Sequence, residues 1–286
     1  MTARCRAHTR SIDMRTLRIA LLAATAIGML FVSAPVAGAA TTVRPGDQLS
    51  SSAGQCTANF VYTNGTSQFI GLAAHCFSTG SNTDTNGCST GSLALGAPVT
   101  NANGNVIGTL AYSSWLAMKQ AGERDAETCA YNDLSLVKLA SGVTANPSVP
   151  SWGGPTALAP AGAPEAGKTV YTYGNSSLRF GVTQLSPKTG TGVSDTPGGW
   201  SHTVQTANPG IPGDSGSGFM DATGRAFGIL STVSVGFPDG VANGVGDLGR
   251  EIAYANAHGF TVSLVSGGAF SSSGGGVGSV LGKLPL

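Results

Sequence analysis

Residues 208–218 read Asn-Pro-Gly-Ile-Pro-Gly-Asp-Ser-Gly-Ser-Gly, two prolines and four glycines in eleven positions. Neither a helix nor a strand interior survives that density, because proline lacks a ladder donor and glycine loses the most entropy on ordering. The segment must be an irregular loop held in a fixed shape by regular structure on either side. The same punctuation recurs along the chain. Gly accounts for 43 of 286 residues, where a typical domain has roughly 7%. Short runs rich in Val, Ile, Thr, Tyr and Phe flank turn sequences: residues 60–63 and 68–72 around Asn64-Gly65, 97–100 and 106–110 around Asn103-Gly104, 219–220 and 225–230 around residues 221–224. Each is a hairpin signal. Residues 131–139, 168–174 and 201–206 read as further strands. A single helix is expected, over residues 248–258, with Asp247 able to cap its start and Gly259 its end. Residues 114–127 are more polar and read as a helical turn or surface insertion. The fold class is all-β.

The N-terminal 40 residues are different in kind. Arg15 and Arg18 precede an unbroken uncharged run over residues 19–32, which Ala37-Gly38-Ala39-Ala40 follows. A basic flank, a short apolar centre and a small-residue cleavage site describe a secretory signal peptide, removed near residue 40; an uncleaved anchor needs about 20 apolar residues. Residues 1–40 hold five arginines and one acid, so the remainder carries ten basic and thirteen acidic side chains, a net charge of −3. That balance points to neither nucleic acid nor a membrane surface as partner. Export also sets how Cys56, Cys76, Cys88 and Cys129 read: four cysteines in an oxidising compartment allow three disulfide pairings. Cys56–Cys76 and Cys88–Cys129 close the shorter loops, each worth about 3 kcal/mol in the loop-entropy model. Without a C-x-x-C pair, zinc ligation is the weaker reading.

The proline-rich run from Asn146 to Pro164 divides the rest into two lobes, residues 41–145 and 146–265, ahead of a Gly/Ser-rich tail at 266–286 expected to be flexible. In the 208–218 loop, glycines flank Ser215 and free the backbone N–H groups of Gly213 and Ser215 to bind an oxyanion. A serine hydroxyl needs a base. The exported chain has three histidines. His75 follows a strand and adjoins Cys76; His202 reads as a surface strand residue and His258 as a cation at a helix C-terminus. Asp133 starts a strand that reads as buried.

Ala73-Ala74-His75-Cys76, Asp133-Leu134-Ser135-Leu136 and Gly213-Asp214-Ser215-Gly216 stand in this order over roughly residues 50–265. The chain thereby resembles the chymotrypsin-like (trypsin-fold) serine proteases, above all secreted bacterial members. The resemblance implies two antiparallel six-stranded β-barrels with a cleft between them. Residue by residue, Ser215 matches the family's nucleophile, His75 its general base and acid, and Asp133 the carboxylate that orients the imidazole. Gly213 and Ser215 match the oxyanion-hole donors, Cys76 the half-cystine beside the histidine, and Ser231 a serine near the buried aspartate and the substrate backbone. No cofactor or metal is implied. The expected substrates are proteins or peptides, the expected protein a secreted monomer.

Two departures carry expectations of their own. No Ile-Val-Gly-Gly-like start follows the leader, so Asp214 needs a partner other than a new N-terminal ammonium; Arg179 is one candidate, although an exposed loop arginine is its simpler reading. Pro209 stands six residues before Ser215, where the family sets the base of its primary pocket, and Leu230 stands where glutamate-specific relatives carry histidine. A pocket of Pro209, Gly210, Thr232 and Val233 suits apolar or small side chains rather than Lys, Arg or Glu. Two other functions compete: an inactive binding module of the same fold, and an α/β-hydrolase esterase using Ser215, Asp239 or Asp247, and His258. The second lacks both the G-x-S-x-G glycine and β–α alternation.

Overall fold

The structure, a computed structural model, describes residues 41–81, 84–164, 166–236 and 240–274. The expected leader at 1–40, Asp239 and the last twelve residues lie outside the described residues.

Strands β1 (Thr41–Val43), β2 (Gln48–Ser51), β3 (Gly54–Thr57), β4 (Val61–Thr63), β5 (Gln68–Ala73), β6 (Pro98–Asn101) and β7 (Val106–Ser113) lead into helices α1 (Ser114–Ala121) and α2 (Ala126–Tyr131). Strands β8 (Leu134–Leu139) and β9 (Val143–Ala145) complete the first half. The second half has β10 (Thr169–Tyr173), β11 (Pro187–Asp195), β12 (Ser201–Thr206), β13 (Gly218–Met220), β14 (Ala226–Gly236), β15 (Gly240–Asp247), helix α3 (Leu248–Ala257) and β16 (Ser263–Leu264).

The expected double-barrel architecture is present, with the two lobes closed to different degrees. Six antiparallel strands of the second half close on themselves in the order β10-β11-β12-β15-β14-β13. The first lobe is an eight-stranded half-barrel, ordered β16-β4-β5-β8-β7-β6-β2-β3, and β1 runs parallel to β9 beside it. Its outermost strand comes from the far end of the chain: β16 pairs with β4, Leu264 opposite Tyr62. The turn signals at Asn64-Gly65, Asn103-Gly104 and residues 221–224 do connect β4 to β5, β6 to β7 and β13 to β14. Gly65, Gly104 and Gly224 take φ of 89°, 78° and 79°, a region that glycine enters without the Cβ clash.

Apolar clusters among the described residues hold this together. Leu49, Ile70, Leu72, Val99, Ile107 and Val137 fill the first lobe. Val170, Val204, Phe219, Phe227 and Val245 fill the second. A larger cluster with Tyr62, Leu136, Trp152, Tyr171, Ile229 and Ile252 joins side chains from both lobes and α3. Burial on that scale, at about 25 cal/mol per Å² of apolar surface, fixes one lobe against the other.

Three expectations need correction. Residues 114–127 hold all of α1 and the first two residues of α2, so the chain has three α-helices among the described residues, not one. Trp115 and Met118 of α1 are fully buried against Tyr254 of α3, a tertiary contact that an eight-residue segment cannot announce by itself. The tail is not free from residue 266: Ser271 N–H donates to the Trp152 carbonyl (2.7 Å) and the Phe270 ring meets Tyr171 edge-on at 5.1 Å. His202 is not a surface residue; only 1% of it is exposed.

Candidate active site

Strand register brings the first two chemical groups together. β5 and β8 are antiparallel neighbours with Ala73 opposite Leu134, so His75 and Asp133 follow and precede adjacent strand ends. Beyond Ala73 the chain turns through one 3₁₀ turn (Ala74–Phe77) that carries His75. Ala74 N–H donates to the Asp133 carbonyl (2.5 Å), and Ser135 Oγ donates to the Ala73 carbonyl (3.0 Å). The Asp133 carboxylate is 4% exposed and surrounded by donors. Its Oδ1 accepts the His75 backbone N–H at 2.8 Å. Its Oδ2 lies 2.7 Å from His75 Nδ1 and accepts from Ser231 Oγ at 2.5 Å. Burial alone would lower the His75 imidazole; the charge and hydrogen bond of Asp133 outweigh it and raise the pKa above its usual value.

Ser231 reaches Asp133 through an irregularity. The β14–β15 register shifts between Leu230 and Thr232, leaving Ser231 as the extra residue of a bulge. A bulge re-aims a side chain, and here it turns a second-lobe hydroxyl onto a first-lobe carboxylate.

The Ser215 loop is stitched to the same strand ends. Thr57 N–H donates to the Ser215 carbonyl (2.8 Å), while Thr57 Oγ1 and Gln55 Nε2 donate to the Gly213 carbonyl (2.8 and 3.0 Å). Between those two residues stands Cys56, disulfide-bonded to Cys76, the neighbour of His75. Gly216 has φ of 84°, and a Cβ there would lie 2.8 Å from both Ala73 N and the Thr57 carbonyl. The loop is therefore pressed against backbone two residues from His75, a distance that any side chain at position 216 would prevent. Asp214, Gly216 and Ser217 N–H groups are spent on the carbonyls of Ile211, Leu230 and Asp214. Those of Gly213 and Ser215 have no acceptor among the described residues.

Asp214 is fully buried and meets two cations rather than one. Arg179 Nη2 and Lys188 Nζ donate to its Oδ2 at 2.5 and 2.7 Å, and Ser176 N–H to its Oδ1 at 3.0 Å. Burial would raise this carboxyl, but Lys188 and then Arg179 hold it below its usual value. Arg179 is thus a buried partner, not an exposed loop residue. Lys188 was invisible in the sequence, since strand alternation on β11 gives no reason to bury a lysine. Its Nζ also reaches the Pro209 carbonyl at 3.4 Å.

Of the residues expected to line the primary pocket, Gly210 and Val233 lie against each other. A Cβ on Gly210 would meet Leu230 Cδ2 at 2.8 Å and Val233 Cγ2 at 3.2 Å, and Gly210 N–H donates to Asn243 Oδ1 (2.8 Å). Asn243, fully buried on β15, is a neutral polar group that sequence reading missed. Glu251 was missed as well. From α3 its Oε1 accepts the Asp133 backbone N–H at 2.9 Å. Burial, joined by the Asp133 and Asp247 charges, pushes the Glu251 carboxyl well above the usual carboxylate range. A potential ligand group of Cys56, His75 and Cys76 offers no thiolate, because its sulfurs are bonded to each other.

Two of the esterase alternative's candidate residues, Asp247 and His258, are engaged elsewhere, and Asp239 lies outside the described residues. Asp247 caps α3 through Arg250 N–H (2.8 Å) and binds His202 Nε2 (3.1 Å), and His258 Nδ1 contacts the Tyr254 carbonyl (2.8 Å).

The trypsin family model matches residues 46–246, more than half of the sequence. This chain belongs to the trypsin family. Among solved structures, Thermobifida fusca protease A aligns with a TM-score of 0.50 at 17% identity, over 79% of this trypsin-family chain and 100% of that one. A Nocardiopsis protease gives 0.48 at 19% identity over 78% and 99%. Cellulomonas bogoriensis chymotrypsin gives 0.47 at 18% over 78% and 98%. At such identities the likeness is one of fold. No curated protein sequence matches the chain. Both disulfides of this family member pair as expected, Cys56–Cys76 and Cys88–Cys129.

Proposed function

We propose that the protein is a secreted serine endopeptidase with Ser215 as nucleophile, His75 as general base and acid, and Asp133 as the carboxylate that orients it. The observation that carries this reading is Asp133 Oδ2 at 2.7 Å from His75 Nδ1, on a strand end against which the Ser215 loop is pressed. That contact fixes one imidazole tautomer and turns Nε2 toward the task of accepting a proton. Ser215 Oγ gives its proton to His75 as it bonds to the scissile carbonyl carbon. The oxyanion that develops is received by the unspent N–H groups of Gly213 and Ser215, a contribution of about 3 kcal/mol per donor in comparable sites. His75 then passes the proton to the leaving amine, and the C–N bond breaks. Water, deprotonated by the same imidazole, releases the acyl group from Ser215.

Asp214, held by Arg179 and Lys188, supports a loop that is shaped without an N-terminal ammonium. Pro209, Gly210, Thr232 and Val233 suit an apolar or small side chain before the scissile bond, with Ser231 beside the substrate backbone. Two disulfides and the basic-then-apolar leader support export. A fluorophosphonate probe tests the reading: stoichiometric labelling of Ser215, abolished in His75→Ala, is expected. An unlabelled, folded protein would leave an inactive binding module of this fold.

A further inference from the structure

Beside the Ser215 loop lies an apolar surface that the fold does not need. Leu178, Phe180 and Val182 are 55%, 91% and 47% exposed, three large apolar side chains within five residues. Their backbone is not loose. Ser176 Oγ accepts Leu178 N–H (3.1 Å) and donates to the Pro212 carbonyl (2.5 Å). Phe180 N–H donates to the Ser177 carbonyl (3.1 Å) and Val182 N–H to that of Arg179 (2.9 Å). Arg179 itself points inward onto Asp214. The segment therefore turns its cation into the protein and its hydrocarbon out to water, the reverse of what burial favours.

Phe180 adds a second cost. It sits at φ 50°, ψ 36°, the left-handed region that non-glycine residues occupy at about 1–2 kcal/mol. Strain of that kind, held by surrounding hydrogen bonds, concentrates at binding sites. The position of the patch indicates what it binds. Ser177 N–H donates to Gln55 Oε1 (2.9 Å), and Gln55 Nε2 donates to the Gly213 carbonyl (3.0 Å). A Cβ on Gly213 would lie 2.4 Å from Gln55 Oε1 and 2.8 Å from Ser176 Oγ. The segment that carries the patch thus abuts the Gly213 flank of the Ser215 loop through Ser176 and Ser177. Gly210 and Val233, two of the residues proposed to hold the acyl part, meet where that loop begins and β14 passes. If the acyl part sits at Gly210 and Val233 and Ser215 is the nucleophile, the departing part of the peptide would lie toward Gln55 and Ser177.

We propose that Leu178, Phe180 and Val182 form a binding face for apolar side chains in the first residues after the scissile bond, the part of the substrate that departs as the amine. The proposal rests on Ser215 being the nucleophile. The matching chemistry runs in both directions: an incoming peptide amine attacks the acyl–Ser215 ester, the C–O bond breaks as C–N forms, and the amine proton passes through His75 to Ser215 Oγ.

That return step gives the test. An apolar N-acyl amino acid ester forms the acyl-enzyme, and added dipeptide amides compete with water for it. Leu-Leu-amide is expected to capture the acyl group about tenfold more efficiently than Ser-Gly-amide. In Leu178→Ser/Phe180→Asn the ratio falls to near one; both side chains are exposed, and asparagine tolerates the left-handed backbone. Ester turnover with equal capture of the two amides by the wild type overturns this proposal alone. So does an unchanged ratio in the variant. No ester turnover overturns the nucleophile reading, and this proposal with it. Binding of the wild type to phosphatidylcholine vesicles, lost in the variant while the capture ratio stays the same, assigns the patch to a lipid surface and also overturns it.

Discussion

Ser231 Oγ donates to Asp133 Oδ2 at 2.5 Å, and this bond joins the closed barrel to the half-barrel at the candidate site. Ser231→Ala removes one donor from a buried carboxylate, a charged hydrogen bond worth about 1.5–3 kcal/mol. The expected result is a fall in kcat/KM of about tenfold. The Asp133 charge, shared with one donor fewer, should hold the His75 imidazolium more strongly. The acid limb of the kcat/KM–pH profile then moves to higher pH; a limb at the wild-type position would show that Ser231 does not act through Asp133.

Asp214 balances two cations whose side chains are 6% and 3% exposed. Asp214→Asn leaves Arg179 and Lys188 buried together without a counter-charge, and unfolding in urea should show a loss of about 3–5 kcal/mol. Lys188→Met leaves the Arg179–Asp214 pair in place and should cost less than half as much.

His202 is held at both ring nitrogens, by Asp195 Oδ1 (2.7 Å) and Asp247 Oδ2 (3.1 Å). Burial would lower its pKa; hydrogen bonds first from Asp247 and then from Asp195, with their charges, raise it instead. A group whose folded pKa lies above its unfolded value of about 6.5 stabilises fully below that value. The contribution disappears as pH rises through the raised folded pKa. His202→Gln should therefore lower the urea midpoint more at pH 5.5 than at pH 9. Equal losses at the two pH values would mean that the ring is a neutral packing element.

Glu251, whose carboxyl burial pushes well above the usual carboxylate range, accepts the backbone N–H of Asp133. Glu251→Gln keeps a carbonyl acceptor of the same shape, and kcat/KM should stay within about twofold. Glu251→Leu leaves the Asp133 N–H buried and unpaired, at about 1–3 kcal/mol of stability. Loss of activity without loss of stability in the leucine variant would contradict this account.

The two disulfides should separate in their effects. Cys88–Cys129 spans 41 residues, and its removal should cost about 4 kcal/mol of stability in the loop-entropy model. It ties α2 to the loop before β6, so kcat measured on the folded fraction should change little. Cys56–Cys76 spans 20 residues, but it lies between Thr57 and His75. Replacing that pair with serines should lower kcat as well.

Local chemistry wrote much of this molecule into its sequence. Asn-Gly and Asp-x-x-Gly turns fixed three hairpins because only a few residue types accept their backbone angles. Gly213, Ser215 and Gly216 marked the loop, and Asp247 and Gly259 bounded α3. His75 and Asp133 were legible as residues, flanked by strand signals and a cysteine. What tertiary structure alone decided is which buried polar groups meet. Lys188 on Asp214, Glu251 on the Asp133 amide, Asn243 on Gly210 and His202 between two aspartates all join residues far apart in the chain or on neighbouring strands. No periodicity predicts such pairs, because burying a charge is unfavourable until its partner is in place, and only the closed barrel brings the partner there.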